Sequence, residues 1–273
     1  MLFYHIALLA LVQGISEFLP ISSSGHLILL HNIISEDAIK NAANNRLMDI
    51  AVHVGTLFAV LVYFHKDVWR MAKGLWALPN YTRTQNSDTK LMLHVLVGSL
   101  PIIIVGGIVY KMVDPSIFYD PRIIAYTTII FGILMWVADK YGGKERRVED
   151  VTFKDSFFIG LMQCLALIPG TSRSGITMTA ARFRGLIRAE AARYSMLLSI
   201  IATSAVGAMG ILDIVQDGND GLLTDAMIAA GLTFLTALLV IAFLMEWLKR
   251  FSLTPFVIYR LILGAVLFYF FVL

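Results

Sequence analysis

Two short polar runs interrupt otherwise apolar sequence. The first offers Gln13, Glu17, Pro20 and the consecutive Ser22, Ser23, Ser24, Gly25 and His26; the second offers Gln163, then Pro169, Gly170, Thr171, Ser172, Arg173, Ser174, Gly175 and Thr177. Hydroxyls and glycines beside an arginine at a helix start suit phosphate, because backbone N–H groups and the helix dipole face the anion while a guanidinium grips it bidentately. Ser22, Ser24, Gly25, Thr171, Ser172, Ser174 and Thr177 are therefore the candidate phosphate-binding residues, with Arg173 the cation among them. Glu17 belongs beside an anion only if a divalent cation mediates. Mg²⁺ or another such ion, for example Ca²⁺, would take Glu17 and also Gln13, one helical turn earlier on the same face. His26 suits moving a proton near neutral pH. Two blander readings stand beside these: Glu17 and Arg173 as a neutralising buried pair, and the hydroxyls as partners for backbone groups freed by the breaks. His5, His31, His53, His65 and His94 have no polar cluster around them in sequence and read as core or interfacial histidines.

The elements that must position these groups are dictated by composition. Of 273 residues, 58% are hydrophobic and 15% charged, and the mean hydropathy is +0.76. Soluble domains carry about 25% charged residues. A soluble enzyme, a disordered chain and a disulfide scaffold are excluded, and an integral-membrane protein is left. The net charge of +3 is scattered among loops, so no nucleic-acid partner is indicated. The lone Cys164 reads as a small buried hydrophobe. The first residues lack a basic region and a small-residue cleavage site, and read as retained structure.

Six stretches are long and apolar enough to cross a hydrocarbon core as helices: about 47–64, 91–110, 123–138, 194–212, 226–245 and 254–272. Residues 2–34 resist this treatment. As one helix they would run ~50 Å, and Pro20 with the serine-glycine run breaks them near the middle. Two half-helices, about 3–17 and 26–34, joined as a re-entrant hairpin, are the geometry left. Residues 156–193 repeat the design, with a half-helix from Ser156 to Ile168, the break at 169–175 and a second half carrying Arg182 and Arg184. Irregular backbone at membrane depth is tolerated only against protein or a wet cavity, so both breaks should face one.

Loop charges orient this arrangement. If the first hairpin enters from outside, the inside segments 65–90, 139–155 and 246–253 hold twelve Lys and Arg, and the outside segments 35–46, 111–122 and 213–225 hold four. The positive-inside rule then puts both termini outside. Three spans separate the hairpins, so the second enters from the cytoplasm. A shift of 150 residues superimposes Gln13 on Gln163, Ser22 on Ser172, Ser24 on Ser174 and Gly25 on Gly175. The expectation is an all-α polytopic protein forming a single domain over 1–273, an inverted-topology repeat of about 1–140 and 155–273 with six transmembrane helices plus two re-entrant hairpins. Such folds bring their broken helices together near the midplane. Arg182, Arg184, Arg188 and Arg193 read as marking the cytoplasmic boundary. Arg260 reads as snorkelling or pairing with Asp49, and Trp69, Trp76, Trp136 and Trp247 as interface anchors. Gly98, Gly106 and Gly107 would serve helix packing or a homodimer.

Gln13-x-x-x-Glu17 followed by Phe18 to His26 resembles the first signature of the bacterial undecaprenyl-diphosphate phosphatase family, also known as bacitracin-resistance proteins; Pro169 to Thr177 resembles the second. The likeness covers essentially the whole chain, including Pro255-Phe256-x-x-Tyr259-Arg260. It implies hydrolysis of a polyprenyl diphosphate lipid to the monophosphate with a divalent metal, usually magnesium, in the bacterial plasma membrane, returning the carrier to cell-wall synthesis. It also implies a metal or catalytic role for Glu17, proton transfer by His26, an anion grip by Arg173, and for Ser23 a role as nucleophile or phosphate ligand. The family commonly carries glutamate where this chain has Gln13, which weakens any scheme requiring two carboxylate ligands. Integral-membrane acid phosphatases of the type-2 phosphatidate group share only fragments of these motifs, since Thr179 and Phe183 stand where that group needs histidine and aspartate. The expected chemistry has Glu17 and Gln13 holding the metal, Arg173 and the amides of 171–175 cradling the diphosphate, and His26 activating water or Ser23 or protonating the departing oxygen. The cavity should open to the outer face. A transporter or flippase of a phosphorylated lipid or anion is the alternative, because inverted repeats also build carriers.

Overall fold

The computed structural model describes every residue except 1–2, 24, 28–29, 31–41, 81–85, 113–119, 144 and 218–219. Among the described residues the chain is helical, with no strand and one isolated bridge between Arg146 and Leu186. The principal helices are α1 (Phe3–Ser16), α2 (Ala42–Tyr63), α3 (His65–Trp76), α4 (Ser87–Met112), α5 (Pro121–Tyr141), α6 (Phe153–Gln163), α7 (Arg173–Phe183), α8 (Arg188–Asp217), α9 (Asp220–Arg250) and α10 (Thr254–Phe271). Four of them, α4, α5, α9 and α10, are long and apolar enough to cross a membrane, and a fifth if α2 and α3 are taken as one bent span. The expected span at 194–212 falls within α8.

Local chemistry sets the boundaries. The Asp120 side chain accepts from Arg122 N and Pro121 fills the first position of α5, so the short expected span gains a turn at its start. Thr152 and Asp155 form a reciprocal capping box that starts α6 at Phe153, three residues before the expected Ser156. α6 then tightens into a 3-10 turn at Cys164–Leu167. The segment expected to be a plain inside loop, 65–90, contains α3, which leaves α2 at 85° and packs on α4. Its exposed Trp69 and Trp76, with Lys73 5.7 Å over the Trp69 ring, suit an interfacial helix.

Packing pairs α2 with α9, α5 with α10, α1 with α9, and α6 with α4. Both first half-helices lie against their partners through glycine. A Cβ on Gly14 would come within 2.7 Å of Thr236 Cβ on α9, and one on Gly160 would overlap the Gly98 carbonyl on α4. Gly98 is thus spent on internal packing, whereas Gly107 faces open space.

Arginines at the α7–α8 end, where the sequence places a boundary, are bound by carbonyls and carboxylates. Arg182 is 1% exposed and donates to the carbonyls of Gly143 (2.6 Å), Leu186, Asp139 and Gly142. Arg188 binds Asp139 at 2.6 Å, Arg146 and Arg184 share Asp155, and Arg193 binds Asp67 at 2.6 Å. Cys164 is half-buried.

Candidate functional site

The end of α1 delivers Glu17 to the first break, and the start of α7 delivers Arg173 to the second. Arg173 Nη2 donates to Glu17 Oε1 at 2.8 Å, so residues 156 apart in sequence meet as an ion pair. Glu17 Oε2 accepts from Ser23 Oγ at 2.7 Å and from Gln13 Nε2 at 3.0 Å. Ser174 Oγ donates to the Leu19 carbonyl at 3.0 Å and stitches one break to the other.

Each break turns on a serine in the left-handed region. Ser22 has φ +79° and Ser172 φ +70°, conformations that cost a non-glycine residue about 1–3 kcal/mol unless its surroundings impose them. The side chain of each then accepts from the glycine three residues on: Gly25 N to Ser22 Oγ at 3.4 Å, Gly175 N to Ser172 Oγ at 3.1 Å. The carbonyl of each receives the N–H four residues later, from His26 and Ile176. The strained serine is what lets an irregular segment stop and a helix begin within one residue.

Glu17, Ser22, Ser23, Ser172 and Arg173 line a cavity of about 240 Å³ together with His53, Ile102, Ala166, Leu167, Ala202 and Thr203. Five of the seven buried side-chain atoms without a hydrogen-bond partner among the described residues belong to the broken segments: Gln13 Oε1, both amide atoms of Gln163, Thr171 Oγ1 and Arg173 Nη1. Native interiors leave few such atoms, so this concentration marks ground shaped for a polar ligand.

Not every expected residue faces that cavity. Thr177 Oγ1 is engaged by the Arg173 carbonyl and by Ser195 Oγ at 2.6 Å, which is the bland role of a hydroxyl in a broken helix. Thr171, Ser174 and Gly25 lie in the breaks but are not part of the lining, and Ser24 lies outside the described residues. His26 is turned elsewhere: Nδ1 lies 2.6 Å from the Ser22 carbonyl and Nε2 2.5 Å from the Tyr259 hydroxyl, with the rings stacked at 12°. Since a carbonyl only accepts, Nδ1 carries a proton, and in the neutral ring Nε2 accepts from Tyr259.

Three side chains at or beside the cavity were not among the candidate site residues of the sequence. His53, read there as a core or interfacial histidine, lines the cavity with Nε2 3.9 Å from Glu17 Oε2, its Nδ1 held by the Asp49 carbonyl at 2.6 Å. Tyr259 anchors His26. Arg260, instead of snorkelling, is 0% exposed and spends its donors on backbone carbonyls of both breaks. The signal available was the rarity of ionisable groups inside apolar spans.

A helical, membrane-embedded chain whose two broken segments close a carboxylate, a guanidinium and serine hydroxyls around one cavity is an integral-membrane protein built to handle an anionic headgroup. The chain belongs to the family described as bacitracin resistance protein BacA, whose model matches residues 6–266. It is 41% identical over 271 residues to the undecaprenyl-diphosphatase of Alteromonas mediterranea, with 99% of each chain covered. It is 43% identical over 275 residues to that of Maricaulis maris, covering 98% of each, and 43% identical over 269 residues to that of a Jannaschia species, covering 97% of each.

Proposed function

We propose that this protein hydrolyses undecaprenyl diphosphate to undecaprenyl phosphate and inorganic phosphate, recycling the lipid carrier for cell-wall synthesis, with bacitracin resistance as the consequence. The observation that carries this is the two-sided lining of the cavity. Glu17, Ser22, Ser23, His53, Ser172 and Arg173 form a polar wall, and Ile102, Ala166, Leu167 and Ala202 an apolar one. An anionic lipid needs both, one for the diphosphate and one for the first prenyl units. The names of the relatives support hydrolysis over transport. Phosphate release from undecaprenyl diphosphate by purified protein tests the reading, and lipid binding without release would overturn it.

The residues divide the work. Arg173 holds Glu17 with Nη2 and keeps Nη1, buried and unpartnered, for a phosphoryl oxygen. The N–H groups of Arg173 and Ser174 at the start of α7 add to that cradle, that of Gly175 being spent on Ser172 Oγ. Ser23 Oγ donates to Glu17, so the carboxylate is placed to take this proton as Oγ attacks the terminal phosphorus. The bond to the bridging oxygen breaks, prenyl monophosphate leaves, and water then releases phosphate from Ser23. The geometry supports for His26 an anchoring role, its Nδ1–H fixing the Ser22 carbonyl beside Ser23, in place of the proton transfer expected from sequence.

Mg²⁺, or another divalent cation such as Ca²⁺, belongs to this reading, and the donor set fits it. Glu17 supplies a carboxylate and Gln13 Oε1 is buried without a partner. Among the described residues no three His, Cys, Asp or Glu side chains converge, so Glu17 and Gln13 are the residues that would hold the ion. Such an ion would supply the positive charge that lets Glu17 lie beside the diphosphate.

The matched serines at 22 and 172, and the matched packing of α1 on α9 and α6 on α4, support an inverted repeat with six spans and two hairpins. The loop charges support a bacterial plasma-membrane protein with both termini, and the mouth of the cavity, on the outer side. Gly107, on an open face of α4, is where a homodimer would form.

A further inference from the structure

Arg260 is the largest unexplained charge in the fold. It projects from α10, is fully buried, and has no carboxylate within ion-pairing distance among the described residues. Its donors reach three segments instead: Nη1 to the carbonyls of Thr171 (2.9 Å) and Pro20 (3.4 Å), Nη2 to those of Gly170 (3.0 Å) and Thr127 (3.5 Å), and Nε to that of Thr128 (3.2 Å). Pro20 belongs to the first break, Gly170 and Thr171 to the second. Thr127 and Thr128 lie on α5, whose hydroxyls in turn donate to the carbonyls of Pro169 at 2.6 Å and Gly170 at 3.4 Å.

In a trans peptide the C=O and the next N–H point in opposite directions. Arg260 draws the Thr171 carbonyl toward itself, so the N–H of Ser172, a residue of the cavity wall, is turned the other way. The same bond sits one residue before the strained φ of Ser172, and the Pro20 bond two residues before that of Ser22. A planar fork reaches well-separated carbonyls with three different nitrogens in fixed directions, whereas an ammonium must offer its three donors from one point. A permanent cation without a carboxylate also leaves positive potential behind the breaks, where an incoming diphosphate is the missing counter-charge.

We propose that Arg260 is a positioning residue for the anion cradle: it fixes both strained turns from behind, aims the Ser172 amide into the cavity, and supplies positive potential without touching substrate. This rests on the reading of the cavity as a diphosphate site. The probe is inorganic diphosphate, its Kd measured by calorimetry on detergent-purified full-length protein with magnesium present, alongside melting temperature and prenyl diphosphate turnover. Arg260→Lys keeps the charge and loses the fork. Its Kd should rise at least tenfold, with KM for the lipid rising in parallel, in protein that remains monodisperse and melts above the assay temperature. Gly132→Ala leaves Arg260 in place but puts a methyl 3.3 Å from its Cβ and 3.5 Å from Nε, and should raise Kd two- to fivefold. If Arg260→Lys does not fold, the Gly132→Ala result decides. Diphosphate affinity within a factor of 1.5 of wild type in every folded variant overturns the proposal and leaves Arg260 a structural clamp. Wild-type protein that binds diphosphate tightly but releases no phosphate from the lipid would instead remove the phosphatase reading and leave the cradle standing.

Discussion

At the scale of single residues, the site is arranged so that identity matters more than charge. Arg173 uses one nitrogen on Glu17 and keeps another unpaired, and lysine would have to serve both from a single nitrogen without the fork's fixed directions. Arg173→Lys should lower kcat/KM by about 10–100-fold, the worth of one charge-assisted hydrogen bond of roughly 2 kcal/mol, with the melting temperature within a few degrees of wild type. His26 separates two ideas. His26→Ala should be nearly inactive under either, but if the ring acts by holding the Ser22 carbonyl, His26→Asn, whose amide also donates, should regain at least tenfold over alanine. Equal inactivity of the two would return His26 to proton transfer. Gln13→Glu should lower the magnesium concentration for half-maximal activity by about tenfold, since a carboxylate replaces a neutral amide beside Glu17, and chelation should silence both forms. The residues legible in sequence, Glu17, Ser23 and Arg173, sit in polar runs where chemistry is clustered along the chain. The contacts of His53, Tyr259 and Arg260 were not legible, although the last two stand in the segment shared with the family, because each lies within an apolar helix away from the polar runs. A lone polar residue there signals function, but its partner is chosen by packing between helices distant in sequence.

At the scale of elements, the breaks succeed because a half-helix stopping inside the protein must be met by something polar. Proline, glycine and the serine runs made the place of both breaks readable, but not that a serine, Ser22 or Ser172, would take the positive φ rather than Gly25 or Gly175. The bend between α2 and α3 was not readable, because 65–90 is rich in charge and amphipathic at once and charge alone suggests a loop. α8 forms part of the apolar wall through Ala202. Ala202→Phe should raise KM for undecaprenyl diphosphate about tenfold, equivalent to 1.4 kcal/mol, while leaving farnesyl diphosphate little affected. Equal loss for both lipids would place Ala202 away from the tail. The start of α6 offers a test of pH. Burial would raise the Asp155 carboxyl, but hydrogen bonds from Arg146, Thr152 and Arg184 outweigh it and hold the group well below the usual carboxylate range. A depressed folded pKa means stability fully present above the unfolded value, near pH 4, and lost as pH falls below it toward the folded value. Melting temperature in detergent should therefore drop below about pH 4. In Asp155→Ala that acid-side drop should shrink, and the protein should be about 3 kcal/mol less stable at neutral pH, because two arginines lose their buried partner.

At the scale of the whole molecule, the scarcity of charge becomes information about direction. The ion pairs of Asp67, Asp139 and Asp155 with Arg193, Arg188, Arg146 and Arg184 gather at one end of the bundle, together with the inside segments named by the charge rule. Positive residues near span ends resist translocation, so that end should face the cytoplasm and the short, acidic segment 213–225 the exterior. The chain has one cysteine, so a labelling background needs only Cys164→Ala, and its half-buried thiol makes no disulfide. In that background, Lys111→Cys at the end of α4 and Lys249→Cys at the end of α9 occupy opposite predicted sides. A membrane-impermeant maleimide added to intact cells with a permeable outer envelope should modify the cysteine at 111 and spare that at 249, which should react only after the inner membrane is opened. The reverse pattern would invert the protein, placing the Glu17–Arg173 cavity mouth on the cytoplasmic side. Phosphate would then be released into the cell, and the lipid would have to cross the bilayer before hydrolysis rather than after it.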